Sequence, residues 1–182
     1  MNSVPRVLCL LAEGFEEIET IAPVDLLRRA GAEVVMASIT SSIHVTGRCA
    51  ITLHADALLD GLDTEAFDLL LIPGGPGVKA LRQDGRPATL AASFASHGKK
   101  VAAICAAPAV LQDAGLLTGR RFTAHFSMHG ELPGADGAER VVVDGPVITS
   151  RGAGTAIEFG LELIAQLFGT TKVDEVAASI MA

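Results

Sequence analysis

The 182-residue chain predicts an α/β fold: a mostly parallel sheet covered by helices on both faces. Three observations lead to this class. Apolar runs of strand length alternate with segments of helical period. One strand-like run ends on Pro73-Gly74-Gly75, and another ends on Cys105 and turns directly into a helical pattern. We therefore expect ligand sites at the carboxyl ends of the strands.

The first half of the chain predicts a strand, a helix, a second strand, a short hairpin and a central strand. The helix carries apolar residues at helical spacing and stops at Gly31, and the hairpin alternates around Gly47. The predicted ranges, in chain order, are Arg6–Ala12, Glu17–Ala30, Val34–Ile39, Ile43–Ala55 and Phe67–Ile72.

The second half predicts two helices, the strand before Cys105, three further strands and two closing helices. Thr155 and Glu158 have the spacing of a capping box, in which both side chains satisfy free amides of the first helical turn. The predicted ranges are Val78–Gln83, Ala88–His97, Val101–Ile104, Arg121–His125, Glu139–Val143, Pro146–Thr149, Thr155–Phe168 and Val173–Met181.

Composition narrows the class of partner. The net charge is −7 with no basic stripe, and Trp and Tyr are missing, which argues against nucleic acid and anionic membrane surfaces. The three cysteines suggest no disulfide framework, and Met1 to Pro5 do not read as a secretory leader. We expect one domain over residues 1–182, a cytoplasmic location and a small-molecule partner.

The run Val101 to Pro108 has the pattern of a nucleophile elbow at Cys105. In such an elbow the chain turns so sharply that residues two positions either side must be small, and Ala103 and Ala107 occupy those positions. Free amides of a helix beginning at Ala106 would favour the thiolate. The alternative is a buried cysteine that acts as a small hydrophobe.

Three polar features follow strand ends that should share the rim with Cys105. Glu19 lies in a first helical turn beside other acids, where carboxylates also occur simply as dipole complements. The amides of Gly74 and Gly75 could approach a ligand oxygen, although Pro-Gly-Gly is also an ordinary turn. His125 could act as a base or merely cap the sheet edge.

Rival signatures occur after the elbow. His125 and His129 have the helical spacing of a zinc pair, but the glycines and proline that follow disfavour a helix. His129-Gly130-Glu131 spells the H-x-E of a glutamine amidotransferase triad, in a loop with no strand to aim it. Arg151 to Thr155 resembles a phosphate loop without its lysine, and close packing explains its glycines equally well.

Taken together, the segments resemble the ThiJ/PfpI superfamily and, within it, the branch of the Parkinsonism-associated protein deglycase and its bacterial relatives. The resemblance spans nearly the whole chain. It implies a flavodoxin-like three-layer sandwich, a homodimer and Cys105 as nucleophile, with roles at Glu19, Gly75, Ala106 and His125. The segments that carry it are Ala12–Thr20, Pro23–Gly31, Leu71–Gly75, Ala102–Pro108 and Thr149–Thr155.

The resemblance implies several activities. The preferred hypothesis is conversion of methylglyoxal or glyoxal to a hydroxy acid without glutathione, metal or cofactor, by attack of Cys105 and proton transfer through Glu19. Deglycation of early glycated amines or thiols uses the same residues. Alternatives are an oxidation sensor or chaperone that acts through Cys105, and a cysteine peptidase or amidotransferase-type hydrolase.

Overall fold

A computed structural model describes residues 4–182 and contains a seven-stranded sheet in the order β5-β2-β1-β6-β7-β9-β8. Neighbouring strands pair in parallel except β8, which runs antiparallel to β9. A separate antiparallel ribbon pairs β3 with β4. The strands are β1 (Arg6–Leu11), β2 (Glu33–Ser38), β3 (His44–Thr46), β4 (Thr52–His54), β5 (Ala57–Leu58), β6 (Leu69–Ile72), β7 (Lys100–Ile104), β8 (Val141–Asp144) and β9 (Val147–Ser150).

Helices cover both faces of this sheet, so the predicted three-layer α/β sandwich is confirmed. Alternate residues of β1 point to opposite faces: Leu8 and Leu10 pack with one helical layer, and Val7 and Cys9 with the other. The first layer contains α2 (Val78–Asp84), α3 (Arg86–Ser96) and α4 (Pro108–Asp113). The second contains α1 (Glu17–Ala30), α5 (Ala156–Phe168) and α6 (Thr170–Ser179).

One predicted strand is wrong: Arg121–His125 forms no ladder. The edge of β7 that it would need is occupied by β9. The segment is held instead by isolated bonds, in which the Thr123 amide donates to Oγ1 of Thr149 (2.9 Å) and the His125 amide donates to the carbonyl of Cys105 (2.9 Å). A side-chain acceptor and a loop carbonyl thus replace the regular partners of a strand.

The capping box predicted at the start of α5 is also wrong. The Thr155 hydroxyl turns back toward the Gly152 carbonyl (2.8 Å) and the Ser150 hydroxyl (2.6 Å), and it caps no amide of α5. Glu158 pairs with Arg140 across the surface. The short strand β5 was not predicted, because two residues are too few to show a period.

Within residues 4–182, every helix is too short or too polar to cross a bilayer.

The β8–β9 pair supplies a test of the core. Ile148 is fully buried in β9, and its direct cross-strand partner Val143 is 37% exposed. We expect Ile148→Ala to lower the free energy of unfolding by about 2–5 kcal/mol, because it leaves a cavity between sheet and helix. The control Val143→Ala should cost less than about 1 kcal/mol, since much of its side chain already faces water. Equal losses in urea titrations would contradict this assignment of the core.

Candidate active site

Cys105 lies at the end of β7 in a left-handed backbone conformation, with φ of 65°. Such a conformation costs a side-chain-bearing residue about 1–3 kcal/mol and persists only when its surroundings hold it. Neighbouring segments do so here: the Cys105 amide donates to the Ser150 carbonyl (2.9 Å), and its own carbonyl accepts from His125. Ala103 and Ala107 are fully buried. This is the geometry of a nucleophile elbow.

Glu19 is the carboxyl group that contacts Cys105, through a hydrogen bond from the thiol. The N-terminus of α1 sets its position, because the Glu16 side chain caps the helix and accepts from the Glu19 amide (2.8 Å). The Glu19 carboxyl also accepts from the amides of Gly74 (3.1 Å) and Ala153. Only 2% of Glu19 is exposed, so the group is held within the protein.

This burial raises the pKa of Glu19 to about 7, and the nearby charge of Glu16 adds to the rise. The thiol and the amides of Gly74 and Ala153 act in the opposite direction, because they donate to the carboxylate. A carboxyl group with a pKa near neutrality can both release and accept a proton at working pH. Glu19 therefore has the acidity of a general acid and base.

The environment of Cys105 raises the pKa of the thiol, whereas the elbow pattern was expected to lower it. Its pKa rises to about 12, mainly through burial and then through the charge and hydrogen bond of Glu19. The amides of Gly75 and Ala106 donate to the sulfur and lower the pKa, but by less. The helix begins at Pro108, later than predicted, and has six residues. At neutral pH the thiol thus keeps its proton until Glu19 can take it.

The glycines after β6 leave room for this contact. A Cβ on Gly74 would overlap the Glu19 carboxylate and lie 2.6 Å from Cβ of Cys105. A Cβ on Gly75, whose φ is +92°, would lie 2.6 Å from the Gly14 carbonyl oxygen. The two amides have different acceptors. The Gly75 amide donates to the sulfur of Cys105, whereas the Gly74 amide donates to the Glu19 carboxylate. In this structure the Gly74 amide is engaged by Glu19, and its expected approach to a ligand oxygen stays a prediction.

His125 lies near Cys105 and Glu19, but its ring makes its hydrogen bonds with other groups. Its Nδ1 lies 2.8 Å from the Ser127 hydroxyl and accepts from the Ser127 amide (3.3 Å). Because Nδ1 is an acceptor there, the ring proton belongs on Nε2. The ring also stacks on Phe126, with centroids 4.1 Å apart. The His125 ring is thus oriented by the turn that follows it, and among the described residues this ring makes no hydrogen bond to the side chain of Glu19 or Cys105.

A cavity of about 340 Å³ opens above the sulfur. Sequence reasoning missed Arg48, an exposed cation at the turn of the β3–β4 ribbon that lines this cavity. Its only sequence signal was its place next to Gly47 in a turn, which does not show that the ribbon reaches the site. The lining residues are Glu16, Glu19, Arg48, Gly75, Pro76, Cys105, Ala106, His125, Ser127 and Ala153.

The rival H-x-E signature does not line this cavity. Glu131 pairs with Arg82 (2.7 Å) on the surface, and His129 is exposed. The segment after Arg151 instead closes the cavity, because the Ala153 amide donates to Glu19. The glycine-containing turn of this segment therefore packs against the site and does not form a phosphate loop.

Comparison with known proteins shows similarity along nearly the whole chain. It is 39% identical over 174 residues to protein DJ-1 homolog B of Arabidopsis thaliana, covering 94% of this chain and 40% of that protein. A deglycase of Thermococcus kodakarensis is 35% identical over 153 residues, with coverage of 82% and 91%. The crystal structure of Drosophila melanogaster DJ-1beta has a TM-score of 0.95, 36% identity and 99% coverage of both chains.

The chain spans about two fifths of the length of the Arabidopsis relatives that it matches. Residues 5–166 match the DJ-1/PfpI family, and the elbow cysteine, its buried glutamate and the strand order all fall within this range. The chain therefore belongs to the DJ-1/PfpI family.

Proposed function

We propose that this protein is a cysteine-dependent enzyme that converts methylglyoxal and glyoxal to hydroxy acids without glutathione, and that also releases such groups from early glycated amines and thiols. The observation that carries the proposal is the hydrogen bond between the Cys105 thiol and a buried Glu19 whose pKa is about 7. Relatives named as deglycases support an enzyme of this kind.

In the first step, Glu19 takes the thiol proton as sulfur attacks the aldehyde carbon. A carbon–sulfur bond forms, and the electrons of the carbonyl bond move to oxygen. The amides of Gly75 and Ala106, which point at the sulfur in the free protein, are near enough to stabilise that oxygen. Glu19 then returns its proton to the oxygen, giving a hemithioacetal.

In the second step, Glu19 removes the hydrogen of the former aldehyde carbon as a proton and returns a proton to the neighbouring carbon through an enediol. The proton of the hemithioacetal hydroxyl moves to the second oxygen, so the former aldehyde carbon regains a carbonyl. The product is a thioester on Cys105. Water cleaves the carbon–sulfur bond, releases the hydroxy acid and restores the thiol, so the overall reaction adds one water to the dicarbonyl. For a glycated substrate, the bond from the former aldehyde carbon to the amine nitrogen or thiol sulfur breaks as the Cys105 sulfur bonds to that carbon, and Glu19 passes the thiol proton to the leaving group, so the same hemithioacetal forms.

Arg48 adds a cationic side chain to the lining of this cavity. A guanidinium there suits the carboxylate of the product and the second carbonyl oxygen of the substrate. The combination of a nucleophile, a proton carrier and a cation in about 340 Å³ fits a small dicarbonyl.

An oxidation-sensing role is the second candidate, and the same hydrogen bond favours it. If Cys105 were oxidised to the sulfinic acid, a protonated Glu19 could donate to the new oxygen. Turnover separates the two roles, because a sensor is consumed by one oxidation whereas an enzyme forms many lactate molecules per subunit. A lactate yield that never exceeds one per subunit would reject the enzymatic proposal.

The first functional prediction ranks three variants by their lactate production from methylglyoxal. Cys105→Ala should reduce turnover to background, because no covalent adduct can form. Glu19→Gln should lose on the order of a hundredfold or more, since an amide cannot carry the proton. His125→Ala should retain measurable activity, because the ring that it removes makes no hydrogen bond to the side chain of Cys105 or Glu19 among residues 4–182, and the backbone bond to Cys105 stays.

The opposite ranking would change the assigned chemistry. If His125→Ala is as inactive as Cys105→Ala while Glu19→Gln survives, the site works as a cysteine–histidine hydrolase. Glu13→Gln is the matched control, because Glu13 is an exposed acid of the same loop that bonds the Thr46 amide instead (3.1 Å).

The second prediction concerns pH. Below about pH 7 Glu19 is protonated and cannot take the thiol proton, so kcat/KM should rise through that value and then level off. Glu19→Gln should abolish this inflection. It should also move the midpoint of Cys105 alkylation to lower pH, because the Glu19 charge raises the thiol pKa. Iodoacetamide labelling with mass mapping, at several pH values, measures the midpoint. A shift to higher pH would contradict the proposed coupling.

The third prediction concerns assembly, since we also propose a homodimer. Ile18 and Ile21, one turn apart on α1, are 55% and 41% exposed, so two large apolar side chains lie next to each other at the surface. Light scattering should give twice 18.7 kDa for the wild type and a smaller mass for Ile18→Asp. Val4→Asp is the control, with Val4 58% exposed near the N-terminus and outside α1. A monomeric wild type would reject the dimer.

A further inference from the structure

A second cavity adjoins the one above Cys105. It has a volume of about 440 Å³ and shares three lining residues with the catalytic cavity: Gly75, Pro76 and Ala106. Two of these, Gly75 and Ala106, supply the amides that donate to the sulfur. A molecule bonded to Cys105 therefore has a path past these amides into the second cavity. The lining residues that belong to the second cavity alone are Val78, Lys79, Arg82, Gln83 and Met128.

One face of α2 forms the polar wall of the second cavity. Arg82 and Gln83 follow Lys79 by three and four positions, so the three side chains leave the same side of the helix. The Arg82 guanidinium pairs with the carboxylates of Asp113 (2.7 Å) and Glu131 (2.7 Å), neither of which lines the cavity. Because two carboxylates face this one guanidinium, Arg82 holds the wall in place but offers no positive charge to a ligand.

Lys79 is the uncompensated cation of this wall. Among residues 4–182, its ammonium group makes no hydrogen bond and no ion pair. The other three lysines differ, because Lys99 and Lys100 donate to backbone carbonyls and Lys172 pairs with an acid of its own helix. The stability of α2 does not explain Lys79 either, since it lies in the first turn, where the helix dipole disfavours a cation. Its charge is therefore free for a bound anion.

The rest of the lining is mainly apolar. Val78 is buried, Met128 is half-buried, and Pro76 and Ala106 add further carbon surface. Such a lining suits a short carbon chain, with a few polar groups to fix its orientation. The second cavity thus combines apolar contacts that begin at the boundary with the catalytic cavity and one free ammonium group on its wall.

We propose that the second cavity is a subsite for the leaving group of a glycated thiol, and that it selects a carbon chain that ends in a carboxylate. The inference rests on the proposed deglycation and leaves its bond changes as they are. The bond from the former aldehyde carbon to the leaving sulfur breaks as the bond to Cys105 forms, and Glu19 passes the proton to the leaving thiol.

Each part of such a substrate then has its own place. The dicarbonyl part lies beside Arg48 in the catalytic cavity, and the chain of the leaving thiol crosses the shared boundary toward Lys79. The helix α2 belongs to the helical layer on the opposite face of the sheet from α1, which carries the proposed subunit contact. Free methylglyoxal has no leaving group, so it needs the catalytic cavity alone.

The test compares the methylglyoxal adducts of mercaptohexanoate and mercaptohexanol, whose chains differ by one charge, at equal concentrations of free methylglyoxal. Lactate formation gives kcat/KM for each adduct, and the wild type should favour the carboxylate. Lys79→Gln should lower the carboxylate-to-alcohol ratio about threefold to fivefold, the upper range for an exposed ion pair. Lys79→Arg should keep the ratio, because the charge stays. Lys99→Gln is the control, because it removes a lysine charge outside both cavities.

Free methylglyoxal separates this inference from the function on which it rests. If the wild type forms no lactate from methylglyoxal, the proposed function fails. If it forms lactate but processes the two adducts equally, or if Lys79→Gln leaves their ratio unchanged, the subsite is rejected while the conversion of methylglyoxal stands.

A labelling experiment tests the subsite without turnover. Cys105 should react faster with maleimidohexanoate than with maleimidohexanol, and mass mapping should show that Lys79→Gln reduces this preference by about the same factor as in the kinetic test. An equal preference in the wild type and Lys79→Gln would reject the subsite whether or not lactate forms.

Discussion

The hydrogen bond between Cys105 and Glu19 is the interaction around which this rim of the sheet is built. It requires a cysteine brought up at the end of β7 and a carboxyl group brought in by the first turn of α1. It also requires that nothing stand between them, which the glycines after β6 provide. Three segments that are far apart in the sequence thus meet at the sulfur of Cys105 and the carboxyl group of Glu19. The burial that results raises the pKa of Glu19 to about 7. It also raises the pKa of Cys105, so the thiol is protonated at neutral pH.

Much of the fold follows from sequence because its signals are long and repeated. Buried parallel strands appear as apolar runs, and the amphipathic helices between them carry a clear period. The errors occur where a local pattern competes with the sheet as a whole. Arg121 to His125 has the residues of a strand, but only the tertiary order shows that β7 already pairs with β6 on one edge and β9 on the other. The Thr155 hydroxyl likewise meets a closer partner in Ser150.

The site, like the fold, has features that the sequence predicts and features that depend on tertiary contacts. The elbow was predictable because small residues around a cysteine have a steric reason, and Glu19 came from the motif of the resemblance. The thiol acidity was not predictable, because it depends on a balance between amides that lower the pKa and a buried carboxylate that raises it. Arg48 was missed because its cavity contact joins a ribbon to a rim that lies far along the chain. Such contacts leave no local periodicity.

The left-handed backbone of Cys105 has an evolutionary consequence. Glycine adopts that conformation without strain, so the chain forgoes about 1–3 kcal/mol by keeping a cysteine there. This is a sizeable share of the roughly 5–15 kcal/mol by which domains are usually stable. Selection for stability alone would therefore favour glycine at position 105, and a library screened only for thermal resistance should lose this cysteine. Under the proposed function, the reactivity of the thiol is what retains a cysteine at this strained position.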